Sequence, residues 1–167
     1  CRPLTFLITG FSWLLLASLV GLAILIGLVH GTPLPPWLRL LHVHATLIGG
    51  ILQLMIGGLL ASLSHSSQGD RTPSDSHPVL FATMTAATIA LLVGFGLGDM
   101  RVVGMAGIVV IGAVASIATV AWQYTGQRLT EPASPSWLYR LAFAFLLGGL
   151  AIGAAMAFRF MPEYYAH

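Results

Sequence analysis

Residues 39–63, RLLHVHATLIGGILQLMIGGLLASL, constrain the fold more than any other stretch: no acidic or basic residue follows Arg39, and two histidines stand near the start. A bilayer core about 30 Å thick is crossed by about 20 mostly apolar residues in a helix, which pairs its own backbone amides and carbonyls where water is absent. The stretch therefore predicts a membrane span. His42 and His44 stand out within it, because an ionisable side chain at or inside a span is costly unless a partner or ligand takes up its polar atoms.

The rest of the chain agrees. Of 167 residues, 57% are hydrophobic and 7% charged, against roughly 25% charged in a soluble domain. The apolar residues come in several runs, which predicts a helical bundle inside the bilayer rather than an anchored soluble domain. A net charge of +2 arises from seven arginines and five acids with no lysine, thinly spread. No basic patch is available for nucleic acid, so membrane lipid and other membrane subunits are the expected partners. Cys1 is the only cysteine, which excludes an internal disulfide, a thiolate zinc site and a cysteine-ligated iron–sulfur cluster within the chain. A lipidated Cys1 would be a redundant anchor beside a span that begins at once.

Five spans are expected, at about 4–29, 38–63, 79–98, 102–124 and 137–160, giving an all-α integral membrane protein, a five-transmembrane-helix bundle forming a single membrane domain over residues 1–167. Pro33, Pro35 and Pro36 break the chain after the first span, since proline lacks the amide hydrogen and disfavours helix before it. Trp37 follows as an interfacial anchor. The polar loop 64–78, with His65, Asp70, Arg71, Asp75 and His77, belongs in water or headgroups. The turn Gly98-Asp99-Met100-Arg101 is short enough to make its two helices antiparallel neighbours. Small residues recur every fourth position as Ala86, Ala90, Gly94 and Gly98, and again as Gly149, Gly153 and Ala157. That spacing predicts close helix packing, with a groove for a flat cofactor or lipid tail as the alternative.

Five crossings place the termini on opposite sides. Arg2, Arg71, Arg128 and Arg140 flank the side of the N-terminus and Arg39, Arg101 and Arg159 the other, so the positive-inside rule leans toward a cytoplasmic N-terminus in the cell inner (cytoplasmic) membrane. On that choice His30, His42, His44, the Asp99 turn and His167 lie at the outer face.

Residues two apart on a regular helix point about 200° apart, so His42 and His44 cannot both face one metal. His42 shares its stripe with Thr46, Gly49, Gln53 and Gly57, whereas His44 lies above Ile48, Ile51, Met55 and Leu59. The small and polar stripe suits a planar cofactor better. An imidazole there can bind haem iron through one nitrogen while the other donates a hydrogen bond that orients the ring. His42 is the expected metal ligand, with Gln53 beside the cofactor on the same stripe.

Together, the first span, the proline-bearing outer loop and the segment LRLLHVHATLIGGILQLMIGG resemble the first two helices of subunit I of haem–copper oxidases and nitric oxide reductases. The likeness extends over about 60 residues and is nearest to the cbb-type branch and to short oxidase-subunit-I-like membrane proteins. In that family the second helix opens at the outer face with a histidine that is an axial ligand of a low-spin haem b. The resemblance puts His42 at that position, and His44 where some members carry a polar residue. It implies haem b as the cofactor and a place in a respiratory-type electron-transfer complex. This chain departs from the family in having five expected spans rather than about twelve and no histidine in the body of the last three, so it cannot complete a haem–copper reaction centre as an oxidase or reductase on its own. A second axial ligand would be His30, His44, a methionine or a residue of another chain.

Other readings use the same residues. Met100, Met105, Met156 and Met161 fall near the outer ends of their spans, and thioether with imidazole suits copper. His65, His77, Asp70 and Asp75 could hold a divalent ion on the inner loop. Asp99 reads as a turn acid pairing locally, or as an acid on a proton path. No Ser, His and acid arrangement supports nucleophilic catalysis. The expected function is a small haem b-binding redox or accessory subunit; the alternatives are a cofactor-free structural or assembly subunit of a respiratory or photosynthetic complex, or a copper-handling protein.

Overall fold

The computed structural model describes residues 3–66, 77–126 and 136–159, with side chains over 3–61, 78–119 and 141–158. The polar loop expected at 64–78 and the segment 125–135 lie largely outside these residues, as do the side chains of His65 and His77 and all of Met161 and His167. The described residues form α1 (Pro3–Val29), α2 (Pro36–His44), a π-helical segment (Ala45–Leu52), α3 (Gln53–Ser66), α4 (His77–Leu97), α5 (Met100–Gly126) and α6 (Ser136–Arg159). α2, the π segment and α3 are continuous and make the second span. Five helices are thus long and apolar enough to cross a membrane, over Pro3–Val29, Pro36–Ala61, Pro78–Leu97, Met100–Thr119 and Leu141–Phe158, at the places their apolar runs predict.

The helix ends follow from local chemistry. α1 closes with Gly31 at φ 64°: the Gly31 amide donates to Leu28 O at 3.2 Å and the Thr32 amide to Gly27 O at 2.9 Å, a paired arrangement that satisfies carbonyls the helix leaves open. Gly98, at φ 70°, closes α4 in the same way, with its amide on Phe95 O at 3.2 Å and that of Asp99 on Gly94 O at 2.9 Å. Asp99 then caps α5, its Oδ1 accepting from the Arg101 amide at 2.9 Å and the Val102 amide at 3.3 Å. The acid of this turn therefore pairs with backbone amides at a helix start. α2 begins with Pro36 in its first turn, where the missing amide hydrogen costs nothing.

The spans stand in a row in chain order: α1 packs along the second span, the second span on α4, α4 on α5 and α5 on α6. The core lies in the middle of the row and includes Ile48, Leu52, Ile56, Met84, Leu91, Val110 and Val114. The end helices α1 and α6 turn Phe11, Leu15, Leu19, Phe145 and Ile152 outward, a surface suited to lipid tails and costly in water.

Backbone closeness is achieved by glycine, though only partly by those of the expected four-residue series. A Cβ at Gly94 would stand 2.8 Å from Val103 Cγ2 and 3.0 Å from the Val103 amide nitrogen, so this glycine sets the approach of α5 to α4 as expected. Gly98 of that series caps its helix instead. Gly149 and Gly153 face open space, with no atom of the described residues within 4 Å of a would-be Cβ. An unforeseen tight seam lies between α1 and the second span, where added Cβ atoms at Gly10, Gly49 and Gly57 would meet Leu54, Trp13 and Leu7 at 2.8, 2.8 and 2.9 Å.

Candidate functional site

The two histidines lie at the end of α2, just before the backbone changes from α to π. His42 turns toward α1. Its Nδ1 is 2.9 Å from Ala17 O, and its ring lies over Gly21, where a Cβ would stand 2.8 Å from His42 Cε1. His44 turns the other way, toward α4: its Nδ1 is 2.8 Å from Leu40 O in its own helix, and its ring lies 4.5 Å from that of Phe95, centroid to centroid. The opposed faces expected from helical spacing are present.

Both hydrogen bonds carry the same chemical consequence. A backbone carbonyl only accepts, so Nδ1 bears the hydrogen in each ring and the neutral imidazole presents a bare lone pair on Nε2. This is the protonation pattern of a metal-ligating histidine whose second nitrogen is held by an outer partner. By donor chemistry, then, either Nε2 would serve as a ligand to haem iron.

The surroundings restrict how such a group can lie. The stripe below His42, expected from the sequence to leave room for a planar cofactor, is occupied by α1: Trp13 lies on Gly49, and Leu7 and Phe6 on Gly57. Gln53, expected beside the cofactor, is 0% exposed. Thr46 bonds back to His42 O at 2.8 Å. The small residues of the stripe serve helix approach, and a cofactor on His42 would have to meet Nε2 from the end of the helix pair where α1 closes and α2 begins rather than from this seam.

His30 is not brought to the pair. It follows the last turn of α1 and is exposed, about 13 Å of helix beyond Gly21, the residue beneath the His42 ring. Of the methionines expected at the outer ends, Met105 is 60% and Met156 52% exposed, while Met100 packs partly into the core at the start of α5. Among the described residues no group of three or more His, Cys, Asp or Glu gathers to hold a metal ion.

Three features escape sequence reading: the Ala17 carbonyl that orients His42, the Phe95 ring beside His44, and the π segment. A backbone acceptor on another helix has no side-chain signature, and Phe95 sits in an apolar run where nothing sets it apart. For the π segment the adjacent Gly49 and Gly50 are the nearest signal, since both are buried against α1. No protein-family model, curated protein or solved structure matches this chain.

Proposed function

We propose that this chain is a small membrane subunit of a respiratory-type electron-transfer complex in the cell inner membrane, with its N-terminus cytoplasmic, in which His42 ligates a haem b through Nε2. The observation that carries this reading is the Nδ1 contact of His42 with Ala17 O at 2.9 Å, which fixes the ring from a neighbouring helix and aims a bare nitrogen away from it. When bound, haem b supplies one-electron chemistry. Gly21 gives the ring its seat, Ala17 sets its tautomer and angle, and the α1 residues on Gly49 and Gly57 confine any cofactor to the outer end. His44 has the same tautomer, but its hydrogen bond lies within its own helix and its ring is taken up by Phe95. His44 is therefore secondary. Any further ligand to the group would come from elsewhere than His30 and His44, because among the described residues these two do not converge on His42. Copper in place of haem finds less support, with Met105 and Met156 both turned outward.

Absorption spectra of the purified chain with its complex, oxidised and dithionite-reduced, test the assignment. His42→Ala is expected to abolish the low-spin haem b bands or convert them to high-spin, and His44→Ala to shift them at most, because loss of an axial imidazole removes a strong-field nitrogen. An unchanged spectrum in both variants, or no haem spectrum in the wild type, rejects it. The open glycines of α6 favour a second reading in that event, a cofactor-free packing subunit of a respiratory or photosynthetic complex.

A further inference from the structure

His44 carries a lone pair that the chain around it does not use. Its Nδ1 hydrogen goes to Leu40 O at 2.8 Å, which leaves Nε2 of the neutral ring able to accept and unable to donate. Among the described residues no hydrogen bond reaches that nitrogen, and it is not enclosed, since the buried side-chain atoms left without a partner belong to Gln53 and Thr85. The ring is also held in place. Phe95, itself 4% exposed, stands 4.5 Å from it, centroid to centroid, at 44°.

α2 packs along α4, and His44 stands at the edge of that seam. Around it on the second span Leu40, Leu41 and Ile48 lie in the core or against it, whereas Val43 and Leu47 turn outward, 45% and 52% exposed. The half-buried ring therefore lies where core gives way to the lipid side. Its depth is set by both helices. Arg39, exposed, comes five residues earlier, about 7.5 Å of helix, and the exposed Asp99 follows Phe95 by four residues. Charged side chains belong at headgroup level, so the ring sits one to two turns beneath it.

We propose that His44 Nε2 is the acceptor in a binding site for a lipid-soluble phenol, of the hydroquinone class, that reaches the seam between α2 and α4 from the hydrocarbon side. The bare nitrogen selects a donor. Lipid ester carbonyls and phosphodiesters only accept, so they give it nothing. Water and aliphatic alcohols do donate, but binding exchanges one hydrogen bond for another, and a donor no better than water gains little by the exchange. A phenolic hydroxyl is the stronger donor, and Val43 and Leu47 offer its aromatic body apolar surface. The site faces away from His42 and rests on none of the haem assignment.

Solid-state 15N NMR of the full chain in lipid vesicles reads the acceptor nitrogen directly. Dithionite keeps a hydroquinone reduced and any low-spin haem iron diamagnetic, so the measurement stands whether or not haem is bound. The step His44-Ala45 occurs once in the chain, and labelled histidine paired with labelled alanine assigns the ring without a variant. An alkylhydroquinone is expected to shift the His44 Nε2 resonance saturably and to leave that of His42 in place. Its dimethyl ether, the same body without a hydroxyl hydrogen, and an alcohol of equal chain length are expected to leave both unmoved. No shift with the hydroquinone overturns the proposal, as does an equal shift with the ether, which would mean contact without a hydrogen bond. An equal shift with the alcohol overturns the phenolic class and assigns the nitrogen to lipid hydroxyls in general. Parallel shifts of every histidine would mean partitioning into the bilayer with no site.

Discussion

His42 and Asp99 are both polar residues at the same end of the bundle, and each is held by the backbone rather than by a charged partner. Asp99 accepts two amide hydrogens at the start of α5, which is worth about 1 kcal/mol in helix capping. Asp99→Ala is accordingly expected to lower stability by about 1 kcal/mol and Asp99→Asn to leave it nearly unchanged, measured by thermal unfolding in detergent. If Asp99→Asn cost as much as alanine, the negative charge rather than the cap would be the working feature, and a proton-path role would regain ground. Both residues were visible in the sequence as candidates. The local pairing of Asp99 was legible too, since a turn acid reaches the amides two and three residues on; the partner of His42 was not, because a carbonyl belongs to every residue and only the path of the chain decides which one is near.

At the scale of the element, the second span differs from a regular helix. Its π segment, Ala45–Leu52, bonds each amide five residues back instead of four, so each turn holds more residues than an α turn. The face reading of His42, Thr46, Gly49, Gln53 and Gly57 assumed a uniform 3.6 residues per turn, and it missed that Gly49 and Gly50 both turn toward α1. Removal of Leu47, which is 52% exposed within the segment, is expected to let the backbone return to α geometry with both flanks in register, so the variant should remain a monodisperse folded protein on gel filtration. Removal of Ile89, 48% exposed in the regular helix α4, rotates everything after it by about 100° and should abolish folding. Equal damage from the two deletions would show that the π segment does not absorb a residue in this way.

For the whole molecule, five helices long and apolar enough to cross a membrane make the expected number of crossings odd. With Cys1 replaced by serine, single cysteines at Thr32 and Ser67 are expected to react with a membrane-impermeant maleimide from opposite sides of right-side-out vesicles; reaction of both from one side would break the five-span arrangement. The row of helices also leaves α6 at one end with Gly149 and Gly153 facing open space, and glycine exposed on a membrane helix suits contact with another protein helix. Leucine at both positions should leave the isolated chain folded, since no atom of the described residues lies within 4 Å of a Cβ at either, while reducing the native size of the complex extracted in mild detergent. An unchanged complex would mean that α6 faces lipid.

The sequence by itself determined the number and position of the helices long and apolar enough to span a membrane among the described residues, because hydrocarbon demands about 20 apolar residues per crossing and punishes charge wherever it falls. It also separated the two histidines onto opposite faces, since helical spacing leaves no alternative for residues two apart. The tertiary structure decided what each face meets. Glycines that looked like room for a cofactor became the seat of Trp13 and Leu7, while Gly149 and Gly153, taken for packing positions, remained open. A small residue specifies only that something may come close, and what comes close depends on which helices the chain brings together.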